Sequence, residues 1–358
     1  MAIHVDPTGS LTDVAGITVG HHHRVRAGWR TGTTAVIAAA GATAGVDVRG
    51  GGPGTRETDV LRPENLIQEV HGICLTGGSA YGLAAAGGMM RWLESRQIGF
   101  PVGQTGGARP DWIVPIVPGA VIFDLGRGGN FAHRPDEEFG FRAARSARRT
   151  PEANGSVGAG AGAVAGGLQG GIGSASTRLP NGIVVAALAV VNAAGSLIDP
   201  ATGLPWEARA HRLRRPSRAD RDLLAAATAP PAPGVAPQPL NTTIGVVATT
   251  ARLTKAECTK VASVSHDGMA RAVRPVHSMF DGDTVFALAT GAHELPDVTS
   301  TGFRSEGSRP AALNAILDAA ALCFAAACTQ AVVSATSIGG PLAYRDLCPS
   351  AFGGPRPM

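Results

Sequence analysis

Apolar runs rich in Val, Ile, Ala and Thr recur along this chain, separated by glycine-rich turns and by a few stretches with helical spacing. Residues 16–20 (GITVG), 33–40 (TTAVIAAA), 115–125 (PIVPGAVIFDL) and 242–250 (TTIGVVATT) read as strands, with a shorter one from Gly45 (GVDV). Residues 182–200 read as a strand ending at Asn192, a turn through Gly195 and a second strand. Between the first two strands, His21, His22, His23 and Arg24 read as a solvated loop. Adjacent positions on an extended chain face opposite ways, so three neighbouring histidines do not converge on one metal.

Helical signals are fewer. Residues 71–96 read as strand, glycine turn and alanine-rich helix carrying Leu83, Met90 and Leu93, with Ser79 as its cap. Residues 133–149 run from acidic to basic, the order that suits a helix dipole. Thr254 and Glu257 form a capping box ahead of Cys258, Val261, Ala262, Met269 and Val273, which recur at helical spacing. Residues 311–335 read as an alanine-rich helix broken near its middle.

The glycine-rich stretches invite a nucleotide reading that their spacing does not support. Gly77-Gly78-Ser79-Ala80-Tyr81-Gly82 fits neither GxGxxG nor GxSxG. A run as glycine-dense as residues 155–176 matches GxGxxA by chance, and no acidic residue stands at the required distance beyond it. The turn at residues 50–54, four glycines around Pro53, is either a mobile loop or a wall of a site.

One junction stands out. Residues 229–240 (APPAPGVAPQPL) hold five prolines and read as an exposed linker, yet they run directly into the buried strand at Thr242. That arrangement makes sense if the chain is cut between Asn241 and Thr242. The Thr242 hydroxyl would attack the Asn241 carbonyl, and hydrolysis of the ester would leave a free α-amine of pKa ~7.7–8.0, fit to act as base for its own hydroxyl. The plainer reading of Asn241-Thr242-Thr243 is a turn residue before strand formers. Asn192 is likewise either a turn former or a donor aimed at a reacting oxygen. Asp281 and Asp283 flank Gly282 at the head of a strand and share one face if the strand is regular there. A metal held with His277 is the other reading of that cluster, against a simple turn.

Composition narrows the field. With 358 residues and 44% hydrophobic composition, the chain can close a sizeable core as one large domain or two smaller ones. Its net charge of +4 comes from arginine, since the lysines are Lys255 and Lys260 only. The basic clusters at 142–149 and 211–221 have acidic neighbours and no aromatic platform, which argues for a solvated surface and no nucleic-acid partner. Five scattered cysteines without a CxxC fit reduced thiols and a cytoplasmic setting. Neither an export signal nor a membrane span is expected.

Several stretches together resemble one family: LTDVAGITVGH, GTRETDVL, LTGGSAYGLAAA, PIVPGAVIFDL, GGIGSAS, VVNAAGSLIDPATGLPW, NTTIGVVAT and HDGMARAVRPVHSMFDGDTVFALATG. They are similar, nearly end to end and in order, to the DmpA-type L-aminopeptidase/D-esterases, whose relatives include β-peptidyl aminopeptidases and nylon-oligomer hydrolases. The resemblance implies an α+β fold, an αββα sandwich similar to N-terminal-nucleophile hydrolases, in a single domain spanning the chain. It implies self-cleavage after Asn241 into an α chain (1–241) and a β chain (242–358). These would stay together and assemble into homo-oligomers, tetramers or larger, acting on small peptides or amides without metal or organic cofactor.

Carried over residue by residue, Thr242 matches the nucleophile, Asn192 the oxyanion donor, and Asp281 and Asp283 the acidic pair that orients Thr242. Gly77, Gly78, Tyr81 and Phe123 match a possible pocket. Two departures stand out. A lysine found in some relatives is replaced around Gly167 and Gln169, and a tyrosine found in others is Phe123 here. An N-terminal-threonine acyltransferase and an unprocessed, non-catalytic member are the alternatives.

Overall fold

The computed structural model describes residues 3–103, 112–229, 241–296 and 307–352. The linker expected at 229–240 lies outside the described residues except for Ala229.

The architecture turns on one long strand. β1 (Ile17–Arg24) pairs antiparallel with the first part of β2 (Thr31–Val48), which on its other edge carries β3 (Glu69–Thr76). β3 in turn pairs with the short β4 (Gly119–Val121). The second part of β2 pairs instead with β8 (Thr284–His293). Beyond it follow β7 (Thr242–Ala251), β6 (Val184–Asn192) and β5 (Gly171–Arg178). The β2 register shifts between Ile37 and Ala42, where Gly41 takes φ +83°. Small residues and a positive φ let one strand bend from one layer into the next. The sequence suggests two separate strands, at 33–40 and from Gly45; the structure joins them across that bend.

Alternation then sorts the side chains. On β6, Ala186, Leu188 and Val190 face a core shared with Val36, Ile73 and Leu75 of the other layer, while Val185, Ala187, Ala189 and Val191 face helices. Those helices are α4 (Lys255–Ala272) and α5 (Arg309–Val333), and the shorter α3 (Arg218–Ala227) adds Leu224 to the same core. On the opposite outer face, α1 (Ala85–Glu94) and α2 (Glu137–Ser146) cover Ala35, Ile37 and Cys74. Helix, sheet, sheet, helix is the expected αββα order.

Several local expectations change. The histidine run continues β1 rather than looping: His21 Nδ1 lies 3.0 Å from Thr34 Oγ1, and His22 packs edge-on to Phe139. Ser79 does not cap its helix. It takes φ +52° after Gly78 at φ +85°, and Gly78 holds the cap position of a single turn, Ser79–Gly82. Beyond Gly195 the chain makes isolated bridges, Ser196 with Arg274 and Ile198 with Pro205, instead of a second strand. The long strand expected at 115–125 shrinks to β4.

α5 is unbroken over 25 residues. Its alanines favour helix, and Pro310 sits in the first turn where no donor is lost. By length and composition it could cross a membrane, but 78% of its apolar window is buried inside the protein. The capping box is present as expected, and Asp136 caps α2 through Phe139 N at 3.2 Å.

α1 and α2 cross at glycines: a Cβ on Gly140 would drive into the Ala85 carbonyl oxygen, and one on Gly88 into that of Glu137. At an open helix position Gly→Ala stabilises by roughly 0.5–1 kcal/mol. Here the opposite sign is expected, with Gly140→Ala costing about 1–3 kcal/mol through forced separation of the helices, read as a lower urea midpoint.

Candidate active site

Asn192 is the last residue of β6 and Thr242 the first of β7, and the antiparallel register sets them directly opposite each other. Both follow the parity of Val190 and Ile244, so both side chains belong to the face turned toward the other sheet, at its open end. Both are buried. The Thr242 hydroxyl contacts the carbonyl oxygen of Asn241, the residue it would have to attack, and accepts a hydrogen bond from Gly282 N at 3.1 Å. A donor on that oxygen stabilises negative charge as it develops there.

Gly282 is required by this approach. A Cβ there would stand 2.9 Å from Thr242 Oγ1 and 2.8 Å from the Gly52 carbonyl oxygen. The two flanking aspartates are not on a regular strand, because β8 begins only at Thr284. The one-face expectation therefore gives way to a turn in which each carboxylate is held separately.

Asp283 Oδ1 accepts from Thr243 N at 2.7 Å, and its Oδ2 from His277 Nδ1 at 2.7 Å and His277 N at 3.2 Å. Asp281 Oδ2 accepts from Ser278 N at 2.8 Å and Ser278 Oγ at 2.6 Å, while its main chain bridges to Asn241. His277 thus serves Asp283 as a donor. Among the described residues no group of His, Cys, Asp and Glu is arranged to hold a metal ion.

The glycine turn at 50–54 packs on this segment. Gly52 N donates to Asp281 O at 2.8 Å, Gly51 N to Ser278 O at 3.2 Å and Arg49 N to Asp283 O at 2.9 Å. Side chains there would collide with the turn, Gly50 with Asp281 and Gly51 with Met279.

On the Asn192 side, the amide orientation follows from its partners. Oδ1 faces two donors, Val164 N at 3.0 Å and an Arg127 guanidinium nitrogen. Only an oxygen satisfies both, so Nδ2 faces the other way, toward the Phe123 carbonyl oxygen at 3.4 Å. Phe123 therefore meets the site through its main chain. Gly77 and Gly78 reach the same region through Asp124, whose Oδ1 accepts from Gly78 N at 2.6 Å. Burial raises the Asp124 carboxyl to about 6, against the pull of Thr31, the Gly78 amide, Arg127 and Arg30. Tyr81 stands apart from this cluster, exposed beneath the Arg134 guanidinium, 3.7 Å from its ring centre.

Gln169 is buried, donates from Nε2 to the carbonyls of Ala163 (3.0 Å) and Gly170 (3.1 Å), and accepts from Arg30 through Oε1. Gly167, at φ +83°, lies near Thr228. A cavity of about 380 Å³ opens beyond the end of β6, walled by Gly166, Ser196, Ile198, Trp206, Leu224 and Arg274. It adjoins Asn192 by chain, because Gly166 N donates to the Ala193 carbonyl at 3.1 Å.

The two layers and the helical cover on each outer face define an αββα sandwich, with the Asn192–Thr242 pair at the end of its sheet. The match to the model of Peptidase family S58 over residues 9–344 makes the chain a member of that family. It is 47% identical over 360 residues to an uncharacterized aminopeptidase of Mycobacterium tuberculosis, covering 96% of this chain and 99% of the relative. It is 30% identical over 297 residues to the 6-aminohexanoate-oligomer endohydrolase of Paenarthrobacter ureafaciens, covering 79% and 76%.

Among solved structures, a β-aminopeptidase from Burkholderia sp. superposes with TM-score 0.66 at 23% identity, over 100% of this chain and 97% of the other. The L-aminopeptidase D-Ala-esterase/amidase of Ochrobactrum anthropi, described as a new variant of the Ntn hydrolase fold, gives 0.65 at 18%, over 94% and 88%. At such identities the likeness shows the fold. It agrees with the αββα layering expected from the resemblance.

Two outcomes follow from this geometry. Gly282→Ala forces the Asp281–Asp283 turn away from the Thr242 hydroxyl, so amide turnover is expected to fall at least roughly tenfold, with the thermal midpoint as control. His266 packs against His277, 4.9 Å between ring centres, with Nε2 3.1 Å from the Asp47 carbonyl oxygen, and burial lowers its pKa to about 4. A depressed histidine contributes stability that is present above its unfolded pKa near 6.5 and is lost as pH falls toward 4. Urea midpoints should therefore drop over that window, and His266→Gln, which keeps an amide for Asp47, should flatten the slope.

Proposed function

We propose that this aminopeptidase-family chain severs its own Asn241–Thr242 bond and that the freed Thr242 is the nucleophile of a hydrolase for short peptides and small amides or esters. The carrying observation is the seating of the Thr242 hydroxyl: across from Asn192, bonded by Gly282 N, and against the Asn241 carbonyl.

In self-cleavage, Thr242 Oγ1 adds to the Asn241 carbonyl carbon, the C–N bond breaks, and the amine takes the proton. Water then hydrolyses the ester, leaving an Asn241 carboxylate and a Thr242 with a free amine. Asn241 pairs with the Asp281 main chain, so its departure leaves the new amine beside that acidic turn.

In turnover, the amine takes the hydroxyl proton as Oγ1 attacks a substrate carbonyl. Asn192 Nδ2 donates to the oxyanion, the leaving amine receives the proton, and water cleaves the acyl-threonine. Asp283, fixed by His277 and Thr243 N, holds the strand end in place. Exposed Met279 and Phe280 give the turn an apolar rim. The likeness to a 6-aminohexanoate-oligomer endohydrolase supports small amides as the substrate class.

Mass analysis of the purified protein is expected to give chains of 241 and 117 residues (358 − 241 = 117), the second beginning with Thr. Thr242→Ala should remain one chain and lose amide turnover. Asn192→Ala should lower kcat by about 10²–10³-fold. A wild-type chain that stays whole while hydrolysing amides as fast as any processed sample would defeat the proposal.

A further inference from the structure

The donor that fixes Asn192 is a charged residue that neither the junction nor the acidic pair brings in. Arg127 follows the PIVPGAVIFDL stretch and donates from one guanidinium nitrogen to Asn192 Oδ1 and, at 2.8 Å, to the Gly162 carbonyl oxygen. Although the residue keeps partial exposure, its guanidinium lies inside, where lost hydration lowers its pKa to about 10 and leaves it charged at neutral pH.

An asparagine amide has two nearly isosteric orientations, and only one presents N–H groups to a substrate oxygen. A guanidinium has donors and no acceptor, so it accepts Asn192 in one orientation only. Val164 N at 3.0 Å enforces the same choice from the main chain. One of the two Nδ2 hydrogens points to the Phe123 carbonyl at 3.4 Å, which leaves the other for a ligand.

The surroundings carry surplus positive charge. Arg127 and Arg30 both lie near the single carboxylate of Asp124, and no ion pair within 4.0 Å joins Asp124 to either. A fixed cation behind a neutral amide strengthens that amide as a donor to a developing oxyanion, because little water is present to screen it.

We propose that Arg127 is a positioning residue of this hydrolase, locking the Asn192 amide with Nδ2 toward the reacting carbonyl and placing a buried positive charge behind it. This rests on the oxyanion role proposed for Asn192, and the test separates the two.

Steady-state kinetics on a small chromogenic amide are to be measured for the wild type and for Arg127→Ala, Arg127→Gln and Arg127→Lys, each with intact mass and thermal midpoint. The expected pattern is a kcat loss of about 10- to 100-fold for Arg127→Ala and Arg127→Gln with KM within about threefold. Arg127→Lys should be the mildest, and free guanidinium ion should restore part of the Arg127→Ala loss. In an Asn192→Ala background, removing Arg127 should cost little more.

A kcat within about twofold of wild type in Arg127→Gln overturns the proposal, as does a full additional loss in the Asn192→Ala background. A kcat loss with no guanidinium rescue and no recovery in Arg127→Lys also overturns it. If Arg127→Ala does not fold, the Gln and Lys variants and the double variant decide the same question. Undiminished turnover in Asn192→Ala would instead sink the oxyanion reading on which the proposal depends.

Discussion

The pairing of Asn192 with Thr242 across two central strands is the constraint from which the candidate site follows. Backbone ladder bonds fix the register, and the register fixes which side chains face each other at the sheet end. A slip of one residue on either strand would turn one of them to the helical face, where Val191 and Val247 belong to the core against α5. The site thus inherits its geometry from the core. Leu188, Val190, Ile244 and Val246, packed against the other layer, hold the opposition in place.

From that pairing outward, each neighbour has one task. Gly282 brings a main-chain N–H to the threonine oxygen because it has no Cβ to obstruct the approach. Asp283 ties the first amide beyond Thr242 to His277, which sits at φ +60°, a conformation uncommon outside glycine. On the opposite strand, Asn192 is held by its oxygen from two directions. The glycine turn at 50–54 then closes over the Asp281–Asp283 segment with main-chain bonds alone.

Much of this was readable from residue order. The strands at residues 16–20, 182–192 and 242–250 follow from β-branched runs, the capping box of α4 from Thr254 and Glu257, and the layering from a resemblance spread over most of the chain. What was not readable depends on distance in space. Arg127 carries no motif, since only the fold brings it to Asn192, 65 positions away along the chain. The signal in Asp281-Gly282-Asp283 lay as much in the glycine as in the carboxylates, and the reason for it is a contact with residue 242. The histidine run read as solvent-facing because its polarity hid an extended strand covered by Phe139 and Thr34. The long alanine helix read as broken because alanine runs carry little amphipathic period, and burial on nearly all sides removes what remains.

The order of strands in the sheet carries a further consequence. β6 precedes Thr242 in the chain and β7 follows the proposed cut, yet they are hydrogen-bonded neighbours, and β7, β8, α4 and α5 complete a core begun by the first part. Scission at that point would leave two polypeptides that share the core between the layers and the core under α4 and α5, with only the small cluster under α1 and α2 lying wholly in the first. Before the cut, refolding is a unimolecular event; afterwards the pieces must find each other again, so recovery from denaturation would depend on protein concentration. Once severed, the molecule would keep its shape through a barrier to coming apart more than through any ability to rebuild itself.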